Sequence, residues 1–381
     1  MRKVLFITSS RADYGLLRDI VLKTQKLNKE TYLLVTGSHL SYEFGNTIKE
    51  IKKDNVKKII KRNILDKQFK DNKISNYISK SINITTEVIN KKKPDVIVIL
   101  GDRYELLGSA IAAMVLRVPI THIHGGELTS GAYDDSIRHS ITKLSHLHFP
   151  IHDDYKKRLV QLGENPKTIF NYGSLGADAI SKMKLIKKPK IEKILNIKLN
   201  KKIILATFHP VTLEKNMSKF YIRNLIKFLN KLKNCTIIIT SPNFDNESNI
   251  LKKEILNFKK KKKSIHFYKS LGRKMYISLM KISYLVIGNS SSGVLETPSF
   301  GVRTINIGNR QEGRIMSDNI INCNYDINSI NKAFLKSKKK STKFKNPFFK
   351  KDTSTKMAKK ILNFKFTIKK KFFDIGKNKI S

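Results

Sequence analysis

The stretch that decides the fold is residues 95–117, DVIVILGDRYELLGSAIAAMVLR. Asp95–Leu100 reads as a strand, Gly101-Asp102-Arg103-Tyr104-Glu105 as a polar turn, and Glu105–Arg117 as an amphipathic helix. Strand, polar turn and helix in that order form the repeating unit of a doubly wound α/β sheet. In such sheets ligands gather just beyond the carboxyl ends of the strands.

The same alternation extends in both directions. Upstream and downstream, Val4–Thr8, Tyr32–Thr36, Pro119–His124, Leu147–Pro150 and Thr168–Tyr172 read as strands, separated by helical patterns at Tyr14–Asn28, Ile74–Lys92 and Asp153–Leu162. A second series follows, with strands at Lys202–Phe208, Thr236–Thr240, Ser264–Tyr268, Tyr284–Ile287 and Thr304–Ile307. Its helices are expected at Lys219–Leu232, Lys274–Ile282, Gly293–Phe300 and Ile327–Lys336. The stretch from Lys182 to Asn200 has no strand pattern and separates the two series. Residues 1–180 and 181–350 are therefore expected to form two Rossmann-like domains facing a central cleft, a GT-B type architecture. Residues 351–381 are expected to hold a helix near Thr355–Leu362 that crosses back to the first domain, then a basic tail.

A chain of 381 residues suits two domains rather than one core. Its longest apolar run, Val96–Leu100, has five residues, against about 20 for a membrane helix. The apolar stretch after Met1-Arg2-Lys3 ends too soon for a signal peptide, so a cytoplasmic location is expected. Cys235 and Cys323 fit neither a disulfide framework nor a zinc finger. The net charge of +46 raises nucleic acid as a partner. The excess, however, lies in lysine tracts such as Lys259–Lys263, Lys338–Lys340 and Lys369–Lys371, outside the polar turns, and reads as solvated surface. No specific nucleic acid and no membrane partner is expected.

The turns hold the candidate chemistry. Gly288-Asn289-Ser290-Ser291-Ser292-Gly293 precedes a helical pattern. Its hydroxyls and backbone N–H groups suit a diphosphate, where the plainer alternative is a serine cap. Glu296, one turn further on, suits ribose hydroxyls, and Arg11, Arg310 and Arg314 match phosphate oxygens as planar donors. Asp102 and Glu127 end consecutive strands and suit acid and base steps; the alternative is a helix cap and a loop anion. Asp134-Asp135-Ser136-Ile137-Arg138-His139 either caps its helix or adds charge and proton transfer through Asp135, Arg138 and His139. His209, before Pro210, suits a sugar or phosphate contact. His122 and His124 share a strand face, a spacing sometimes used for metals, but no third ligand is near and no metal is expected.

Together, Gly101–Glu105, His124-Gly125-Gly126-Glu127, Asp134–His139, His209-Pro210-Val211-Thr212, Gly288–Gly293, Glu296 and Arg310–Arg314 resemble the hydrolysing UDP-N-acetylglucosamine 2-epimerases of nonulosonic acid synthesis, of the sialic and legionaminic type. The resemblance spans about residues 1 to 325. It implies a GT-B fold, a UDP-sugar substrate, no cofactor and a homodimer or homotetramer. It also implies a two-stage reaction: UDP leaves C1 as the C2 proton is removed, and water then adds to the 2-acetamidoglycal as a proton returns to the opposite face of C2. Carried over by motif, Asp102 and Glu127 serve proton transfer and water activation, assisted by Asp135 and His209. Ser290, Ser291, Ser292 and Gly293 hold phosphate, Glu296 the ribose and Arg11 the leaving diphosphate. Asn243 and Tyr268 lie near the base.

The non-hydrolysing 2-epimerases typically carry Glu-Ala-Gly-Leu-Arg where His124-Gly125-Gly126-Glu127-Leu128 stands here, so the hydrolysing branch is favoured. A GT-B glycosyltransferase would use the same nucleotide site but needs an acceptor. The motifs leave open whether the sugar is UDP-N-acetylglucosamine or a 2,4-diacetamido-6-deoxy relative.

Overall fold

The computed structural model describes residues 1–42, 44–66, 73–130, 132–242, 247–262, 264–338 and 344–376. The chain divides into two units. The first contains Met1–Glu127, Asp134–Ala179 and the chain from Phe348 onward; the second contains Leu128–Tyr133 and Ile180–Pro347.

In the first unit β1 (Val4–Thr8), β2 (Thr31–Val35), β3 (Lys58–Lys61), β4 (Val96–Leu100), β5 (Ile120–Ile123) and β6 (Leu147–Phe149) form a parallel sheet in the order β3-β2-β1-β4-β5-β6. Alternation of side chains along each strand builds a core on both faces. Val4 and Phe6 of β1, with Val96, Val98 and Leu100 of β4, pack against Leu17 and Ile20 of the helix Arg11–Leu27 and Met357 and Ile361 of the helix Thr353–Asn363. Leu5, Ile7, Ile97 and Ile99 pack the other way, against Val88, Leu106 and Ala110.

The second unit repeats the plan. β7 (Lys202–Thr207), β8 (Cys235–Thr240), β9 (Ile265–Tyr268), β10 (Leu285–Gly288), β11 (Thr304–Ile307) and β12 (Ile320–Cys323) are parallel, in the order β12-β11-β10-β7-β8-β9. Ile204 and Ala206 face one core cluster, and Ile203 and Leu205 the other. In each unit the direction of winding reverses once, between β1 and β4 and between β7 and β10, which is where such sheets open for a ligand. Among the described residues no helix is long and apolar enough to cross a membrane.

Several local expectations differ from the structure. Thr168–Tyr172 is not a strand: a 3-10 turn at Pro166–Thr168 leads into a single bridge between Ile169 and His148. Gly293–Phe300 is not one helix. A four-residue helix, Ser292–Leu295, gives way to a 3-10 turn at Thr297–Ser299, because Pro298 has no N–H to continue it. Edge strands β3 and β12 have weak apolar patterns and were not expected, and the Lys182–Asn200 stretch contains the helix Lys188–Leu195.

The tail is packed as far as Asp374. Phe373 N–H donates to Gly163 O at 2.9 Å, and Lys370 Nζ lies 2.6 Å from the buried carboxylate of Glu164. Lys143 Nζ at 2.8 Å and His148 Nε2 at 3.0 Å share that carboxylate. Burial opposes its charge, but the His148 ring, Lys370 and Lys143 more than offset this and bring the carboxyl down from 4.5 to about 2. A depressed carboxyl contributes stability that is complete above pH 4.5 and disappears as the pH falls toward 2. Glu164→Gln is therefore expected to lower unfolding free energy at neutral pH, with the gap to wild type closing through that acid window in urea titrations at successive pH values.

Candidate active site

In the first unit the turns after β1, β4 and β5 carry the polar groups. After β1, Asp13 gathers the chain around itself. It accepts from Thr8 Oγ1 at 2.6 Å, Ser9 N–H at 2.9 Å, Ser9 Oγ at 3.0 Å and Ser10 N–H at 3.0 Å. Burial opposes the Asp13 charge, but the His39 ring and these donors outweigh it and hold the carboxyl below its usual range. His39 is itself fixed, 3.0 Å from Thr8 Oγ1 and 2.7 Å from Thr47 Oγ1. This network sets the turn from which Arg11 opens the helix.

Leu100 of β4 lies opposite Ile123 of β5, so the next two turns start side by side. Gly101 takes φ +85° and leads to Asp102. His122, wholly buried, donates from Nε2 to Gly101 O at 2.8 Å, with Nδ1 3.1 Å from Thr142 Oγ1. Burial pushes its pKa down to about 3, so it stays neutral, and with both nitrogens engaged it is not placed as a metal ligand. After β5, Gly126 takes φ +81°, and a Cβ there would lie 2.5 Å from Tyr155 O. Only glycine fits at that point. Glu127, 1% exposed, receives His124 Nδ1 at 2.6 Å.

One side chain collects these turns. Arg138, in the helix Asp134–Leu144, is 1% exposed and pairs with Asp102 through Nη2. Its Nη1 donates to Glu127 O at 2.9 Å and to Asp135 Oδ1 at 3.3 Å. Arg138 thus engages the acids of the neighbouring turns. Asp102 and Asp135 keep side chains 23% and 28% exposed, and His139 Nε2 lies 3.5 Å from Asp135. The structure thus brings Asp102, Glu127, Asp135, Arg138 and His139 together.

In the second unit Gly288 lies opposite Thr207, with φ +137°, and a Cβ on it would sit 1.9 Å from Thr207 O. Next to it Asn289, fully buried, grips the turn after β7: its Oδ1 accepts from His209 N–H at 2.7 Å and its Nδ2 donates to His209 O at 2.8 Å. Its own carbonyl accepts from Gln311 Nε2 at 2.9 Å and Arg310 Nη1 at 3.4 Å. Arg314 Nη1 donates to Gln311 Oε1 at 2.8 Å. Ser290 Oγ lies 3.0 Å from Ser292 Oγ, which lies 2.8 Å from Tyr276 OH. A narrow cavity at the β7/β10 reversal is lined by Thr207, Tyr276, Gly288, Ser290, Gly293 and Asn306.

The helix that begins at Ser292 is one turn long, so its dipole is small. Glu296 ends this helix rather than lying inside it, and pairs with Arg273 Nη1 at 3.2 Å. Burial raises its pKa. Tyr268 ends β9 half-buried, its carbonyl held by Ser241 N–H at 3.0 Å. Asn243 lies outside the described residues.

Sequence reasoning missed Asp13, His39, Asn289, Gln311 and Arg273. Asp13 sits three residues after Ser10, in capping-box spacing, and Asn289 directly follows the strand-ending Gly288; those were the available signals.

A family model for UDP-N-acetylglucosamine 2-epimerase matches residues 22–362. The chain belongs to this family. A Campylobacter jejuni relative named GDP/UDP-N,N'-diacetylbacillosamine 2-epimerase (hydrolyzing) is 44% identical, over 90% of this chain and 89% of its own. A Legionella pneumophila relative named UDP-N,N'-diacetylbacillosamine 2-epimerase (hydrolyzing) is 35% identical, over 87% of each. The crystal structure of Methanocaldococcus jannaschii UDP-GlcNAc 2-epimerase, in complex with UDP-GlcNAc and UDP, superposes with a TM-score of 0.81 at 20% identity. It covers 96% of this chain and all of that one, which establishes the GT-B-like pair of Rossmann units for this epimerase-family chain.

Asn289→Ala removes both side-chain hydrogen bonds to His209 and loosens the turn after β7, while the backbone carbonyl addressed by Gln311 and Arg310 is kept. It is expected to cost about 2–4 kcal/mol of stability, measured by urea unfolding.

Proposed function

We propose that this chain converts UDP-N,N'-diacetylbacillosamine and water into UDP and the free C2-inverted 2,4-diacetamido-6-deoxy sugar. The observation that carries this reading is the 44% identity, over 90% of the chain, to a relative named for that hydrolysing epimerisation. The Legionella relative and the Gly125-Gly126-Glu127 form of the β5 turn support it against a non-hydrolysing epimerase.

The C2 proton is not acidified by a carbonyl, so departure of UDP has to draw electrons toward C1. Groups that stabilise the leaving diphosphate therefore act on the barrier itself. Arg11, Arg310, Arg314, Ser290, Ser291, Ser292 and Gly293 are assigned to the diphosphate, Glu296 to the ribose and Tyr268 to the base. Asp102 and Glu127, assisted by Asp135 and His209, are assigned to proton transfer and water activation, with Glu127 acting through its His124 partner. The partially exposed carboxylates of Asp102 and Asp135 suit direct contact with a sugar. A homodimer or homotetramer in the cytoplasm completes the reading.

With UDP-N,N'-diacetylbacillosamine and no acceptor, the protein is expected to release UDP and to place solvent deuterium at C2 of the free sugar, with kcat/KM above that for UDP-N-acetylglucosamine. Retention of UDP on the inverted sugar would identify a non-hydrolysing enzyme, and a requirement for an acceptor would identify a glycosyltransferase. Asp102→Asn is expected to lower kcat by about 10²–10⁴ in the same assay.

A further inference from the structure

His122 and His124 lie two residues apart, yet their rings differ in one respect. Both His122 nitrogens are engaged, by Gly101 O and Thr142 Oγ1. His124 is engaged at Nδ1 alone, 2.6 Å from Glu127 Oε1. A carboxylate accepts, so the proton shared with Glu127 belongs to Nδ1, and Nε2 is the nitrogen left to present a lone pair. That nitrogen is buried and has no hydrogen-bond partner among the described residues. His124 also takes φ +69°, left-handed backbone that a non-glycine residue adopts at a cost. An orphaned acceptor and a strained residue on the same turn mark a place that a ligand completes.

Resting on the hydrolysing-epimerase reading, we propose that His124 Nε2 is the base that removes the C2 proton, and that Glu127 is a positioning residue acting through it. In this step the C2–H bond breaks and its electron pair forms the C1–C2 double bond. The C1–O bond breaks, its pair leaves with UDP, and the proton ends on Nε2. The imidazolium then faces the Glu127 carboxylate at 2.6 Å, so the buried pair goes from one net negative charge to neutral as the proton arrives. A proton taken up by Glu127 itself would instead weaken the acceptor that His124 Nδ1–H requires. Glu127, at 1% exposure, is suited to orienting a ring rather than to meeting a sugar.

The test uses the full chain with His124→Asn. Asparagine tolerates left-handed backbone and its amide offers Glu127 a donor, but nothing replaces Nε2. Expected are a fall of at least about 100-fold in kcat for UDP release, KM within about threefold of wild type, and an unchanged melting temperature. Hydration of the 2-acetamidoglycal, supplied with UDP, should stay within about tenfold of wild type, because the proton returns to the other face of C2 from a different group. UDP release at the wild-type rate overturns the proposal. So does loss of elimination and glycal hydration together with a lowered melting temperature, which is the signature of a structural residue. Wild-type protein that releases no UDP overturns the functional reading itself, and is recognised before any variant is made.

Discussion

A guanidinium that has left water has to be matched by anions and acceptors, and Arg138 is almost completely buried. Its partners come from three places in the sequence: the Asp102 carboxylate after β4, the Glu127 carbonyl after β5, and Asp135 one turn earlier on its own helix. None of these can drift without leaving part of a buried charge unmatched. The spacing of the acidic groups is therefore fixed by the energetics of the cation they surround. The helix Asp134–Leu144, which a sequence reader sees as well capped, is held where it is by that same requirement.

The two units solve one problem by different chemistry. Each has its winding reversal beside a polar turn, and in each a single buried polar side chain anchors that turn. In the first unit the Asp13 carboxylate collects backbone and hydroxyl donors after β1. In the second the Asn289 amide, with a donor and an acceptor, holds both the N–H and the carbonyl of His209. A carboxylate can only accept, and the β1 turn presents donors to it; an amide does both, and His209 presents both. The close approach of Gly288 to Thr207 follows from the same arrangement, since β10 and β7 are neighbours only because the winding reverses between them.

The doubly wound fold was legible because Val96–Leu100 and its counterparts are short apolar runs that end in polar turns. Less was legible at the edges: β3 and β12 bury one face incompletely, so their residues lack the pattern that identifies Val4–Thr8. Pro298 was in plain view, and its missing N–H should have broken the proposed helix at Leu295. The acids of the site were legible as residue types after strands. Their surroundings were not: Glu127 and Asp102 look equivalent in sequence and differ in exposure from 1% to 23%. Arg138 was legible as a charge, but its target was set by a tertiary contact with Asp102, 36 residues away.

The charge of the chain gives a last, independent line of reasoning. Of its 76 basic residues only 13 are arginine, so lysine supplies most of the positive charge. Yet Arg11, Arg138, Arg273, Arg310 and Arg314 all fall in the site turns or pair with site acids. An ammonium is a compact, strongly hydrated charge; a guanidinium is a planar fork that can be buried and can address two acceptors at fixed angles. Arg138 shows the difference directly, since one lysine nitrogen would have to reach two separate carboxylates and a carbonyl at once. The lysine excess creates a field that attracts any polyanion but is screened within about 10 Å in ordinary salt. The arginines of these turns thus differ in kind from the screened lysine surface, being buried or forked cations tied to specific acceptors.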